Sequence, residues 1–209
     1  SSAFKIDPNK PGYFIGKLTD LTVGQNTLTA SYGGATATVQ LTNYPITGPV
    51  LSGPAITPFI CQTQNFTLPD GTKLGTATDA NCSAPTKINY VYRSTAGGAL
   101  VSLPTTTALP TDIAMTTTTT GTTVPFVVRV ETGTMDRGIY QNAVLHDPTK
   151  DGTPSPTTPP KGWNKRLIAN HGSGCAGGWY LQGGAQGVNP LTGDNITRLS
   201  EGYGIFINS

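Results

Sequence analysis

The stretch GWNKRLIANHGSGCAGGWY, residues 162–180, decides how the chain is read. Within it, Arg166-Leu167-Ile168-Ala169-Asn170 has the length and apolar content of a short strand buried on both faces. Gly172, Gly174, Gly177 and Gly178 follow at once. Glycine loses the most freedom when held in one shape, so such a cluster marks a place where the backbone itself approaches something. Further on, Asp194 or Asn195 is placed to cap a short helix with Ile196 to Glu201 as its body, and Gly202 stands where a left-handed residue closes a helix. Gly204-Ile205-Phe206-Ile207 reads as a second buried strand. Strand, glycine loop, helix, strand is a βαβ unit, which favours a parallel sheet.

Upstream of this unit, Val124, Phe126, Val128 and Val130 alternate with Pro125, Val127, Arg129 and Glu131, which predicts one strand with an apolar face. A turn containing Gly133 and Gly138 leads to a partner strand over 139–145, and HDPTKDGTPSPTTPPKG, residues 146–162, reads as an exposed proline-rich loop. His146 is expected to be a turn residue, and Arg129, Glu131, Asp136 and Arg137 to form a structural ion-pair network. Residues 48–120 are punctuated by proline, which excludes long helices, and one clear strand survives over 88–92. The threonine run 116–120 is expected to be a polar sheet edge or an extended connector.

The first 47 residues alternate in short runs. Leu21, Val23, Leu28 and Ala30 flank Gly24-Gln25-Asn26 as strand, turn, strand, and Gly33-Gly34 is a hairpin turn before a return strand over 36–42. LTVGQNTLTASYGGATATVQLTN, residues 21–43, resembles the closing strands of bacterial immunoglobulin-like modules, whose opening strands would then precede Ser1.

Composition narrows the class. Charged residues are 11% of the 209, against roughly 25% in an ordinary soluble domain. Hydroxyls and amides therefore carry solubility, which suits an extracellular β-rich protein. The formal charge is +2, with no basic cluster or aromatic-interleaved basic stripe, which excludes a nucleic-acid binder. No apolar run reaches the roughly 18 residues that span a bilayer. Cys61, Cys82 and Cys175 are an odd number without Cys-x-x-Cys spacing, which argues against zinc. A Cys61–Cys82 disulfide is expected because both lie in a turn-rich polar segment, and it would stabilise by about 3 kcal/mol. Three unpaired thiols are the alternative.

Free N–H groups at the end of a buried strand suit two chemistries. Gly172-Ser173-Gly174-Cys175-Ala176-Gly177 satisfies the dinucleotide pattern G-x-G-x-x-G, yet no helix start follows and Trp179-Tyr180 would crowd a pyrophosphate. The other is an oxyanion hole, since His-Gly-x-Gly at a strand end is the form that loop takes in many lipases and esterases. A third reading makes Cys175 the nucleophile of a small-x-Cys-x-small elbow with His171 as its base. On a strand end four residues away, His171 would normally point elsewhere, and support of the loop is its expected role.

The quoted stretch, followed by EGYGIFINS at 201–209, resembles the tannase and feruloyl esterase group of secreted α/β-hydrolases. There a Trp-Asn strand entry leads to a glycine-rich loop and then to a Gly-Tyr strand. VVRVETGTMDRGIYQNAVLHDP, residues 127–148, behind an immunoglobulin-like front, looks closer still to an uncharacterised bacterial family of tannase-like secreted hydrolases. The resemblance covers residues 124–209 well and 1–120 loosely. It implies an oxyanion loop at Gly172, Ser173, Gly174 and Cys175, although Cys175 replaces the commoner glycine or aromatic. It also implies a Ser-Asp-His triad, and no serine here sits in G-x-S-x-G, so the triad is expected beyond Ser209.

The expected architecture is a partial immunoglobulin-like β module at 1–47, a disulfide-stapled Pro/Thr-rich β region at 48–120, and the N-terminal part of an α/β-hydrolase domain at 121–209. The expected partners are the remaining hydrolase polypeptide and an ester substrate, with no cofactor, metal or membrane span. The expected location is extracellular or periplasmic. The rival class is a non-catalytic surface or adhesion β-protein in which the glycine loop is only a connector.

Overall fold

The computed structural model describes residues 4–7, 10–45, 58–171, 181–183 and 189–208. The chain divides into two compact units, Ser1–Ala55 and Ile56–Ser209.

In the first unit β1 (Phe4–Ile6) pairs antiparallel with β2 (Phe14–Gly16), and β3 (Gly24–Tyr32) with β4 (Ala35–Asn43). Gly33 and Gly34 both hold positive φ, as a two-residue hairpin turn demands. The expected turn at Gly24-Gln25-Asn26 is instead the start of β3, where Asn26 pairs with Leu41. The Asn26 side chain makes the bend upstream of the strand. Its Oδ1 accepts from Thr22 N at 3.1 Å, and its Nδ2 donates to the carbonyls of Thr22 at 2.7 Å and Gly24 at 3.0 Å. Leu21 and Val23 therefore lie outside any strand. Among the described residues the unit holds two separate two-stranded ribbons.

The second unit is built on one six-stranded sheet. Its strands are β5 (Lys87–Tyr92), β6 (Val101–Ser102), β9 (Val127–Met135), β10 (Gly138–Leu145), β11 (Leu167–His171) and β12 (Gly204–Asn208), in the order β11-β12-β10-β9-β5-β6. Among the described residues only β11 and β12 run parallel in this sheet, the other neighbours being antiparallel, so the βαβ unit gives one parallel pair at an edge of a mixed sheet. Val128 and Val130, Ala143 and Leu145, Ile205 and Ile207 share one face by alternation along their strands. Against them pack Val91, Phe126 and Leu199, the last from α1 (Asp194–Ser200), to make the core.

The alternating run at 124–131 is not one strand. β8 (Thr123–Pro125) pairs with β7 (Met115–Thr117) in a separate hairpin, and β9 starts at Val127. Pro125 has no N–H to continue a ladder, and Phe126 is where the chain changes partner: its N–H bonds to Ala114 and its carbonyl accepts from Arg93. The threonine run supplies β7 and the hairpin's turn. β9 passes through Gly133, and the reversal is made by Asp136 and Arg137, both at positive φ. Gly133 is required by its cross-strand neighbour, because a Cβ there would stand 2.7 Å from the Tyr140 hydroxyl. β11 is not buried on both faces. Among the described residues it is an edge strand, and Leu167 is 64% exposed.

Asp70 ties the loop before β5 to that strand: its Oδ2 accepts from Asn89 Nδ2 at 2.7 Å and its Oδ1 from the Thr72 hydroxyl at 2.7 Å. The hydrogen bond from the Thr72 side chain is the main cause that holds this carboxyl below its usual 3.8. A depressed carboxyl stabilises the fold at pH above its unfolded value and loses that contribution as pH falls through the folded one. Stability should therefore decline on acidification below 3.8, and less steeply in Asp70→Asn, as read by urea melts at pH 5 and about pH 2.5.

Candidate active site

The βαβ unit is clamped at both ends of β11. At its entry, Asn164 Oδ1 accepts from Arg166 N at 2.9 Å, while Asn164 Nδ2 donates to Thr119 Oγ1 and to the Glu201 carbonyl, each at 3.0 Å. The Trp163 indole N–H meets the Arg166 carbonyl at 2.9 Å. The Trp-Asn pair thus turns the chain into the strand and holds it against the end of α1. Thr116 Oγ1 donates to the Ser200 carbonyl and Thr119 N to that of Glu201, which satisfies helix carbonyls that have no partner within the helix.

Gly202 closes α1 at φ +92°, as its place in the sequence predicts, under close packing: a Cβ would lie 2.8 Å from the Gly162 carbonyl and 2.9 Å from Thr118 Cγ2. Gly202→Ala should cost about 1–3 kcal/mol by urea unfolding, whereas Gly152→Ala, at an ordinary φ, should change stability by less than about 0.5 kcal/mol. Nothing lies within 4 Å of a Cβ at Gly152. The helix N-cap is Gly193, not Asp194 or Asn195, and no side chain caps it. Asn195 has another task. Its Oδ1 accepts from Asn170 Nδ2 at 2.8 Å and its Nδ2 donates to the Asn189 carbonyl at 3.0 Å, tying the first turn of α1 to the end of β11.

At its carboxyl end β11 closes with His171 opposite Asn208. Gly172, Ser173, Gly174 and Cys175 lie outside the described residues. So do the G-x-G-x-x-G and cysteine-elbow readings that rest on them. The chain is next described at Leu181, which bridges to Ile60. Gln182 is 1% exposed and makes three hydrogen bonds to two segments of chain. Its N–H donates to the Ile60 carbonyl at 2.9 Å, its Oε1 accepts from Gln62 N at 2.9 Å, and its Nε2 donates to the Cys82 carbonyl at 3.0 Å. Cys61 and Cys82 are disulfide-bonded, with Cα atoms 5.1 Å apart. The disulfide therefore holds together the two strands of chain that grip Gln182. Sequence reading missed Gln182; a lone glutamine among glycines gives no periodic signal.

The polar groups upstream serve the sheet. Arg129 pairs with Glu131 at 3.0 Å, and the Tyr140 hydroxyl donates to Glu131 Oε1 at 3.2 Å. Burial raises the pKa of the Tyr140 and Tyr90 phenols above the ordinary value. Asp136 and Arg137 form the hairpin turn, and the Arg137 guanidinium stacks 3.8 Å from the centre of the Phe59 ring. His146 follows β10 as a turn residue, buried, with Nε2 3.0 Å from the Gly152 carbonyl. The loop it opens is largely exposed, but His146, Asp147 and Pro160 are buried.

A groove of about 340 Å³ lies between that loop and the sheet, lined by Arg129, Asn142, Pro154, Pro160, Trp163 and Leu167 among others. Leu167 and Gly204 place it at the starts of β11 and β12, the end of the strands opposite His171. Among the described residues no three His, Cys, Asp or Glu come together as metal ligands, and no helix is long and apolar enough to cross a membrane.

Residues 1–209 match the tannase-like family of unknown function (DUF6351). No curated protein and no solved structure matches the chain.

Proposed function

The chain belongs to this tannase-like family, and from that premise we propose that it is the front part of a secreted carboxylic-ester hydrolase whose residues 172–175 supply the oxyanion hole. The observation that carries the reading is that the glycine stretch follows in sequence directly from the carboxyl end of β11, a member of the parallel pair. Ligands of α/β folds gather at that end of the strands. β9, β10, β12 and β11 stand side by side, so numbered along the chain they run 1-2-4-3, with the second strand opposed to the other three. An α/β-hydrolase sheet opens in that order, and the loop from its third strand to the next helix supplies an oxyanion donor.

In this reading an ester carbonyl lies over the loop, a serine Oγ attacks the carbon, and the negative oxygen that forms accepts hydrogen bonds from backbone N–H groups of 172–175. Each such donor contributes about 3–4 kcal/mol to the barrier reduction. His171 supports the loop from the strand end. The serine, its histidine and its carboxylate are carried by polypeptide that follows Ser209 and adds strands beside β11, whose outer edge has no strand partner among the described residues. Residues 1–47 belong to an immunoglobulin-like module. The disulfide fits an oxidising compartment outside the cytoplasm.

The test is fluorophosphonate labelling of the polypeptide that includes the residues after Ser209, alongside a p-nitrophenyl ester assay. The expected result is one phosphonylated serine within G-x-S-x-G and ester turnover abolished by the label, with the 209-residue chain alone inert in both. Ester turnover without a labelled serine, or neither signal in the longer polypeptide, overturns the reading and leaves the adhesion protein as the better account.

A further inference from the structure

The turn after β10 has no part in the ester chemistry. Asp147-Pro148-Thr149-Lys150-Asp151-Gly152 places oxygen-bearing side chains at its first, third and fifth positions and glycine at its sixth. Calcium loops place oxygen ligands with that spacing. Spacing alone does not make a site. The independent observation is a buried, unanswered oxygen: the Asp147 side chain is 6% exposed, and its Oδ2 is buried without a hydrogen-bond donor. The other oxygen, Oδ1, accepts from Thr149 N at 2.9 Å and Thr149 Oγ1 at 2.6 Å. Lys150 Nζ stands 3.9 Å from Oδ2, beyond hydrogen-bond reach, on a side chain that is 69% exposed. A nearly buried carboxylate oxygen thus faces only a distant, solvated ammonium.

The second carboxylate is held in the same turn. Asp151 Oδ2 accepts from Asp147 N at 3.0 Å, and the N–H groups of Lys150 and Asp151 both donate to the Asp147 carbonyl. The bond from His146 to the Gly152 carbonyl braces the two ends of the turn. A divalent cation supplies the partner that Asp147 Oδ2 lacks.

We propose that residues 147–152 form a low-affinity calcium site, with Asp147 Oδ2, the Asp151 carboxylate and the Thr149 hydroxyl oxygen as protein ligands and water completing the shell. Calcium suits an oxygen set that is incomplete and irregular, whereas magnesium demands near-ideal octahedral geometry and gives up its water reluctantly. Two carboxylates place the dissociation constant on the order of 10⁻⁴–10⁻³ M, the range of extracellular calcium modules. The site is independent of the ester-hydrolase reading.

The test is titration of the ¹⁵N-labelled 209-residue chain with calcium chloride to about 10 mM, a ceiling set by that affinity range. The amide resonances of 147–153 should shift saturably with calcium and not with the same concentration of magnesium. Asp151→Asn should weaken binding at least about ten-fold, since it removes one of the two charged ligands. Lys150→Ala, an exposed change, should tighten it roughly five-fold, the factor one unit charge at this distance is worth in water. Absence of a saturable shift, an unchanged shift in Asp151→Asn, or equal response to magnesium overturns the site.

Discussion

Replacing Cys61 and Cys82 by serine lowers the unfolding free energy by about 3 kcal/mol and, separately, unseats Gln182. The first effect is loop closure in the unfolded chain across a separation of 21 residues. The second belongs to the folded state, because the hydrogen bonds around Gln182 come from Ile60, Gln62 and Cys82, on both sides of the bridge. Without the bridge, those two segments hold each other only through weaker contacts. Hydrogen exchange should quicken at the amides of Gln62 and Gln182 while β9, β10 and β12 keep their protection. Gln182→Leu separates the two effects: the disulfide stays, but Gln62 N and the Cys82 carbonyl lose their partner, at a cost of about 1–3 kcal/mol for each buried group left unpaired. Exchange that quickens evenly across the sheet, or a Gln182→Leu protein as stable as the parent, would show that the bridge is no anchor.

The second large effect is expected from Leu199→Ala, at about 2–5 kcal/mol. Leu199 is 0% exposed and is the buried residue through which α1 joins the core of Val128, Val130, Ala143, Leu145, Ile205 and Ile207. A helix of seven residues has too few internal hydrogen bonds to persist alone, so its stability is the packing of that one face. Losing it also loosens the Asn195–Asn170 bond and with it the support of the β11 end. Urea unfolding measures the loss, and amide exchange over 194–200 should rise first. A cost below about 1 kcal/mol would mean that the helix is held by its threonine and asparagine contacts instead.

The contrast between these residues explains what could be read from the chain. The strands at 139–145 and 204–207 are legible because short apolar runs bounded by turn signals read as strands, and Gly33-Gly34 and Gly202 because positive φ selects glycine. The disulfide was legible from two cysteines in one turn-rich segment. Gly24-Gln25-Asn26 misled because an asparagine that braces a neighbouring bend looks like one that makes a turn of its own. The run at 124–131 misled because a proline can end one pairing without breaking the apolar alternation. β11 reads as a doubly buried strand because its apolar residues do not reveal which neighbours cover them, and its edge position is invisible in the residues alone. The grip on Gln182 was invisible for a different reason: it joins residues 120 apart in sequence through amide groups that follow no period.

The claim on which the account turns is that backbone amides of 172–175 face an oxygen that becomes negative. It is tested most directly by recording the amide resonances of the ¹⁵N-labelled protein, extended past Ser209, before and after phosphonylation of the proposed serine. The account predicts downfield shifts at two or more of Gly172, Ser173, Gly174 and Cys175, as their N–H groups bond to the phosphonyl oxygen. A fully phosphonylated protein in which none of these four amides moves would contradict it.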